Sequence, residues 1–589
     1  MSLALTPAAH DGRIRSIGRY HPPMTDTAAA RLAGLADAYW QAALASNPIA
    51  ATALGDRRFD DRLDDPSPDA VEAHRGRLGA LAANTGAIDP TVLSAKDRVT
   101  RSALLAQLER DRALADAGLA TWAADPLEGP QVLALSLEAF QPIVTPDQAQ
   151  AMVARWRAMG PWFDTHGENL RRERAAGRVA VRTPVEKVLD ELDGSLAKTD
   201  EELPLLAPLA VAHPGWSPAQ RTGFDHDLRA AVRDIVRPAL QRYRAMLRDE
   251  ILPVARPDDR PGLAHVPGGA AAYEQLIAVH TSLPMRAQEI HEIGLDEVAQ
   301  IDAELAVSGQ RVLGTSDLPS IRRRLRSDPA LHFGTRTEVF AKAETALARA
   351  REAIPDWFGI LPKADCVVTA MGQHEEKHST IAYYREPAID GSRPGQYYIN
   401  TSEPTTRPRY EAEALAFHEA IPGHHLQIAI GQELTDLPDF RRHTGPTAYV
   451  EGWGLYTERL SDEMGLYSAD MDRIGILSFD AWRACRLVVD TGLHAFGWTR
   501  QRAIDFMVDH TALAENNVAN EIDRYIVWPG QALAYKLGQR EILRLRAEAK
   551  RDLGERFDIR GFHDALLGQG AVGLQTLGQI VREWVAATG

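Results

Sequence analysis

The chain has 589 residues, 45% of them hydrophobic and 25% charged, an ordinary balance for a globular protein long enough to hold more than one domain. Its 81 acidic side chains outnumber 66 basic ones, and the net charge of −15 argues against nucleic acid as a partner. No run approaches the roughly 18 apolar residues that span a membrane, and no positive n-region with an apolar core opens the chain, so a cytoplasmic protein with no membrane partner is expected unless a secretory signal has been removed.

Residues 1–24 are polar, contain Pro22-Pro23 and predict a mobile tail. Asp26 to Leu54 is rich in Ala and Leu at helical spacing and predicts a helix. Further helices are predicted over Ala70–Ala83, Ser94–Ala117, Pro146–Ala176, Pro184–Leu196 and Ser217–Val254, most of them separated by Gly and Pro. The loop Pro257 to Gly262 divides an N-terminal helical lobe, residues 25–256, from a catalytic lobe, residues 257–589. Helices return over Pro284–Ala306 and Thr335–Ala353; His280 and His291, on or beside helices, are read as structural. Ile381–Tyr384 and Gln396–Asn400 are the best strand signals, joined by the turn-rich Asp390–Gly395. An edge strand here would pair with an extended peptide through main-chain bonds, which makes Tyr397, Tyr398 and Asn400 candidates for substrate binding. Cys366 and Cys485 are too few for a disulfide framework and fit a reducing compartment, although a suitable fold would let them bridge.

The most informative stretch follows. Tyr410–Glu419 contains no Gly or Pro and predicts a helix, which Pro422-Gly423 then interrupts. His418, Glu419, His424 and His425 fall within eight residues. Two imidazoles and a carboxylate beside the first point to zinc, yet the spacing is not that of H-E-x-x-H, because Pro422 occupies the i+4 position. In an undistorted helix His424 would be rotated by about 240° and raised about 9 Å from His418, while His425 would share its face about two turns away. Zn–N bonds of about 2.0–2.1 Å require a bend or bulge for either residue. Pro422 and Gly423 would absorb the two extra residues and return His424 to the metal. Farther on, Tyr449–Glu458 offers two carboxylates one heptad apart, and Glu451 is within reach of a second, packed helix. Two His and one Glu leave a fourth position open, the arrangement of a catalytic zinc.

His-Glu-Ala-Ile-Pro-Gly-His-His followed by Glu-Gly-Trp resembles the bacterial domain of unknown function 885 family, which is regarded as zincin-like and distantly similar to neurolysin, angiotensin-converting enzyme and the thermostable carboxypeptidases. The likeness extends to Tyr273–Val298, Gln396–Asn400, Asp490–Trp498 and Arg524–Gly538. It implies a mainly α, two-lobed helical metallopeptidase fold with a deep cleft and a small β-sheet near the active site. It also favours His424 over His425 as the second ligand, giving His418, His424 and Glu451 as the zinc set. By the same resemblance, Tyr525, Tyr535 and His494 are candidates to stabilise the oxyanion. Glu419 would act as general base. Arg524 or Lys536 would hold a substrate carboxylate, favouring a carboxypeptidase or dipeptidase. The expected partner is therefore a peptide or other small amide, met by a monomer or homodimer. Hydrolysis of a non-peptide amide or ester, and non-catalytic peptide binding on a zincin scaffold, are the rival readings; an intact Glu419 favours catalysis.

Overall fold

The computed structural model describes residues 27–372, 376, 380–388, 391 and 393–589; the expected tail over residues 1–24 lies outside them. The chain is mainly helical, with one small open sheet. It forms two compact units. The first comprises the described part of Met1–Asp89 with Leu108–Ala272, and the second comprises Pro90–Gln107 with Tyr273–Gly589.

In the first unit the helices start where side chains can cap them. Ser67 accepts from Ala70 N–H, and Thr145 and Ser217 form capping boxes with Gln148 and Gln220. The segment predicted as one helix over Asp26–Leu54 is two, Ala28–Ser46 and Pro48–Ala53, because Asn47 caps the second and Pro48 opens it. Ser217–Val254 runs almost without interruption but loosens into π-turns at Val232–Val236 and Leu247–Ile251. Met152, Trp156, Met159 and Phe163 face Leu228, Val232, Val236 and Tyr243 in one apolar core. Within it the fully buried Arg155 is satisfied by Arg62 O, Gln141 Oε1 and Thr52 Oγ1 at 2.8–2.9 Å.

The second unit carries the sheet: β1 (Cys366–Ala370), β2 (Ala382–Arg385) and β3 (Gly395–Ile399), in the order β1-β3-β2. The antiparallel β2–β3 pair places Tyr383 opposite Tyr398, and their rings stack at 4.9 Å. β1 was not anticipated; Cys-Val-Val-Thr-Ala is short and lacks alternation, and it pairs in parallel with β3. The Tyr397 strand is therefore central, bonded on both sides, and the sheet's free edges belong to β1 and β2.

Six helices of this unit matter below: α1 (Ala412–Glu419), α2 (His424–Glu433), α3 (Thr447–Glu463), α4 (Asp470–His494), α5 (Glu515–Val527) and α6 (Leu533–Leu553). From Ile474 to His494 every residue of α4 except Trp482 is buried, so it is the central rod against which the others lie. Some of its buried polar side chains are paired: Asp480, for example, holds Lys536 and Arg459. Helices α3 and α6 run side by side at glycine-to-glycine distance. A Cβ on Gly538 would lie 2.0 Å from Ala448 O, and one on Gly452 would lie 2.5 Å from the Gly538 backbone. Both cysteines are buried and free.

Candidate metal centre

Helix α1 is fixed at its N-terminal end by charge. The fully buried Glu413 accepts from Lys342 at 2.9 Å and Arg349 at 2.6 Å, and Ser478 donates to Glu411 at 2.6 Å. At its other end the helix stops at Glu419. Ala420 (φ −105°, ψ −106°) and Gly423 (φ −77°, ψ −129°) leave helical geometry, Ile421-Pro422 is cis, and α2 begins at His424. The turn is so tight that a Cβ on Gly423 would sit 1.9 Å from His418 O, which only glycine permits. The spacing of six is thus resolved by two helices meeting at an angle. The His418 and His424 rings face each other edge to face, 4.7 Å between centroids.

Glu451 on α3 completes the group. Its Oε2 lies 3.6 Å from His418 Nε2 and 3.6 Å from His424 Nε2, and the three ligand atoms are all within 4.8 Å of one another. Four ligands at about 2.0–2.1 Å around a tetrahedral ion are spaced about 3.3 Å apart, so this set fits zinc with small adjustment. Burial disfavours a charged His418, but Glu451 and Glu458 outweigh it and lift its pKa to about 9. Desolvation likewise pushes Glu451 up, and the two imidazoles more than reverse this, holding it well below the usual carboxylate range.

Three side-chain roles were not anticipated. Glu458, two turns beyond Glu451 on the same face of α3, is fully buried and lies 2.8 Å from His418 Nδ1. It fixes the ring so that Nε2 faces the other ligands. Gly454 makes room for that ring: a Cβ there would lie 2.8 Å from both Cε1 and Nε2 of His418. Trp453 Nε1 donates to Pro422 O at 3.0 Å and Gly423 O at 3.3 Å, tying α3 to the turn. The motif Glu-Gly-Trp-Gly therefore supplies a ligand, two close approaches and a clamp.

His425 points away. Tyr384 Oη donates to its Nδ1 at 2.9 Å and its Nε2 donates to Ala364 O at 3.1 Å, while burial pushes its pKa down to about 4. It joins α2 to the sheet as a neutral ring. Glu419 is half-buried beside His418, and its charge is felt by Tyr397, whose fully buried Oη has no hydrogen-bond partner. The other sequence candidates fall elsewhere. Tyr398 Oη donates to Gln396, and Asn400 Nδ2 donates to Glu376 O and Thr380 O, so both brace the sheet and its exit. Lys536 is buried between Asp480 at 2.9 Å and Glu297 at 3.0 Å, which leaves its charge committed. His494 Nε2 donates to Tyr525 O. Tyr525 Oη accepts from Arg486 and Trp482 and donates to Glu521. Tyr525, Tyr535 and Arg524 come together with Arg486 in a second cluster. Tyr535 is half-buried on α6, one turn before Gly538, which packs against Gly452.

The profile of the family described as bacterial protein of unknown function (DUF885) matches residues 48–581. No functionally curated protein matches in sequence. Among solved structures, a candidate lipoprotein from Colwellia psychrerythraea is 27% identical at TM-score 0.88, covering 96% of this chain and 100% of its own. A candidate lipoprotein of unknown function from Shewanella oneidensis is 19% identical at TM-score 0.74, with 94% and 99% covered. A Pyrococcus furiosus carboxypeptidase, 9% identical at TM-score 0.39, is too distant to bear on fold or function. The first two correct an expectation. The sequence pointed to a cytoplasmic protein with no membrane partner, whereas relatives that share the fold over nearly their whole length are candidate lipoproteins, a class attached to membranes by lipid. A lipid anchor needs no spanning segment, so the hydropathy on which that expectation rested does not test it. Among the described residues no helix is long and apolar enough to cross a membrane.

Proposed function

The chain belongs to the DUF885 family of bacterial proteins, and from that premise we propose that it is a zinc-dependent hydrolase of short peptides, related to the zincins. The observation that carries this reading is the convergence of His418, His424 and Glu451 beside a carboxylate, Glu419, that is not one of the three. When bound, zinc supplies a Lewis acid that acidifies water and polarises the scissile carbonyl. Glu419 takes the proton of the attacking water and returns it to the leaving nitrogen. Tyr397, with a buried hydroxyl in the field of Glu419, orients that carboxylate. Glu458 keeps His418 in the tautomer that presents Nε2. Tyr535 would donate to the developing oxyanion: its hydroxyl accepts from Arg524 and keeps its proton to give, whereas that of Tyr525 already donates to Glu521.

The test is direct. Purified protein should carry about one zinc per chain, the stoichiometry of a single three-ligand site. It should cleave members of a mixed peptide library followed by mass spectrometry, lose cleavage on chelation and regain it with added zinc. A zinc-loaded protein that cleaves no peptide in the library would refute the peptidase reading.

A further inference from the structure

Beyond the metal ligands, α4 and α5 bring together three guanidinium groups with too few acceptors. Arg486 Nε donates to Tyr525 Oη at 2.8 Å and its Nη2 to Glu521 at 3.1 Å. Arg524 contacts the same Glu521 at 3.4 Å and donates to Gln531 at 2.7 Å. Arg483, one turn before Arg486, has its guanidinium 4.4 Å from the Trp482 ring centroid, and Arg486 lies 4.5 Å from the same ring. After these contacts Arg483 Nε and Nη1, Arg486 Nη1 and Arg524 Nε remain buried without a hydrogen-bond partner. Arg483 and Arg486 are only 6% and 2% exposed.

Burying a cation is costly unless it is paired and its donors are met. Among the described residues, Glu521 is the carboxylate in direct contact with the group, shared by Arg486 and Arg524, while Glu411 and Glu458 act on Arg483 at longer range. The cluster therefore has fewer contacting anions than cations, and four of its buried guanidinium nitrogens lack an acceptor. It is also rigid, because Trp482 and the Tyr535 ring, 4.4 Å from Arg486, hold the guanidinium planes. Solvent reaches it where Trp482, Glu521, Arg524 and Tyr535 are each partly exposed. It is linked to the metal ligands through Glu458. Arg483 acts electrostatically on Glu458, the residue that holds His418.

We propose that Arg486 and Arg524, with Arg483 behind them, form a carboxylate-binding pocket that receives the free C-terminus of a peptide whose scissile bond lies at the metal centre. The protein then removes residues from C-terminal ends and does not act on internal bonds. This deepens the peptidase reading and rests on it for the identity of the ligand. Arginine suits the task because its planar fork meets both oxygens of a carboxylate.

The experiment uses full-length Glu419→Gln protein, so that ligands are bound but not consumed. A panel of N-acetylated tripeptides, each as free acid and as C-terminal amide, is titrated by calorimetry against zinc-loaded and metal-stripped protein. Replacing a carboxylate by an amide removes a charge-assisted contact, so the acid should bind roughly tenfold tighter or better in both forms. Arg524→Met should bring the ratio close to one with zinc content unchanged, and Arg524→Lys should restore part of it. Equal binding of acid and amide, binding of neither, or a preference that survives Arg524→Met in a folded protein would overturn the pocket. The comparison on the unsubstituted arginine set does not depend on any arginine variant folding. A protein that holds no zinc but keeps the Arg524-dependent preference supports the pocket while sinking the metal reading. A zinc-loaded protein with no preference does the reverse.

Discussion

Gly454→Ala is the sharpest probe of the metal centre, because it replaces neither a ligand nor a base. The new Cβ would lie 2.8 Å from Cε1 and Nε2 of His418. Carbon contacts settle at about 3.5–4.0 Å, so the ring must retreat by about 0.7–1.2 Å. Glu458 grips its far side at 2.8 Å, which leaves little room for that movement. Metal–ligand distances tolerate only about 0.2 Å. Overpacking of this kind costs about 1–3 kcal/mol. At about 1.4 kcal/mol per decade, that is a rise of about 5- to 140-fold in the zinc dissociation constant. Competition with a chromophoric chelator measures it, with circular dichroism confirming that the helices are intact. Gly431→Ala is the control: it too lies on a helix of the site, but a Cβ there meets nothing within 4 Å. If Gly454→Ala binds zinc like the unsubstituted protein, His418 does not ligate through Nε2 in the orientation seen here.

Glu419→Gln should retain zinc and fold while hydrolysis falls by about 10²–10⁴-fold, since the amide cannot accept the proton; turnover of an identified peptide at the original rate would place the base elsewhere. Glu458→Gln should weaken zinc binding by roughly 10–100-fold, the usual cost of losing such a supporting carboxylate, read by the same chelator competition. His425→Ala should keep the metal and lose stability, because it strands Tyr384 Oη and Ala364 O, whereas His424→Ala should lose the metal; the opposite pattern in metal analysis would exchange their roles. Zinc binding near pH 7 should release about one proton, because His418, lifted to about 9, is protonated in the metal-free protein and must be neutral to ligate. Affinity should accordingly rise with pH up to about 9. Calorimetry in buffers of different ionisation enthalpy counts that proton, and a count of zero would contradict the assigned ligand.

The helices were legible because capping residues, prolines and apolar spacing are local signals, and Pro146–Ala175 and Arg336–Ala353 lie close to where the pattern placed them. The meeting of His418, His424 and Glu451 was legible for a different reason: so few residue types can hold zinc that their clustering is informative even at an odd spacing. What sequence could not show was the far side of each ligand. Glu458 stood in plain view on the heptad of Glu451, and a helical wheel puts both on one face, but only packing shows that it reaches the second nitrogen of His418. The two glycines of Glu-Gly-Trp-Gly look alike as letters, yet one admits α6 and the other an imidazole. Lys536 and Asn400 were plausible binders by chemical type; their partners, Asp480 and the carbonyls of Glu376 and Thr380, come from distant segments that no local pattern announces.

The indole of Trp453 has one more consequence. It grips the carbonyls of Pro422 and Gly423 from the helix that also presents Glu451, two residues away. A slip of α3 by one residue would turn Glu451 about 100° from its companions and withdraw the indole from the turn at the same moment. Correct delivery of His424 and of Glu451 is thus a single event, secured by bonds among protein groups alone. A zinc finger comes apart when stripped of its ion; here the bonds from Trp453 to the turn should hold the helices together when the ion is chelated away.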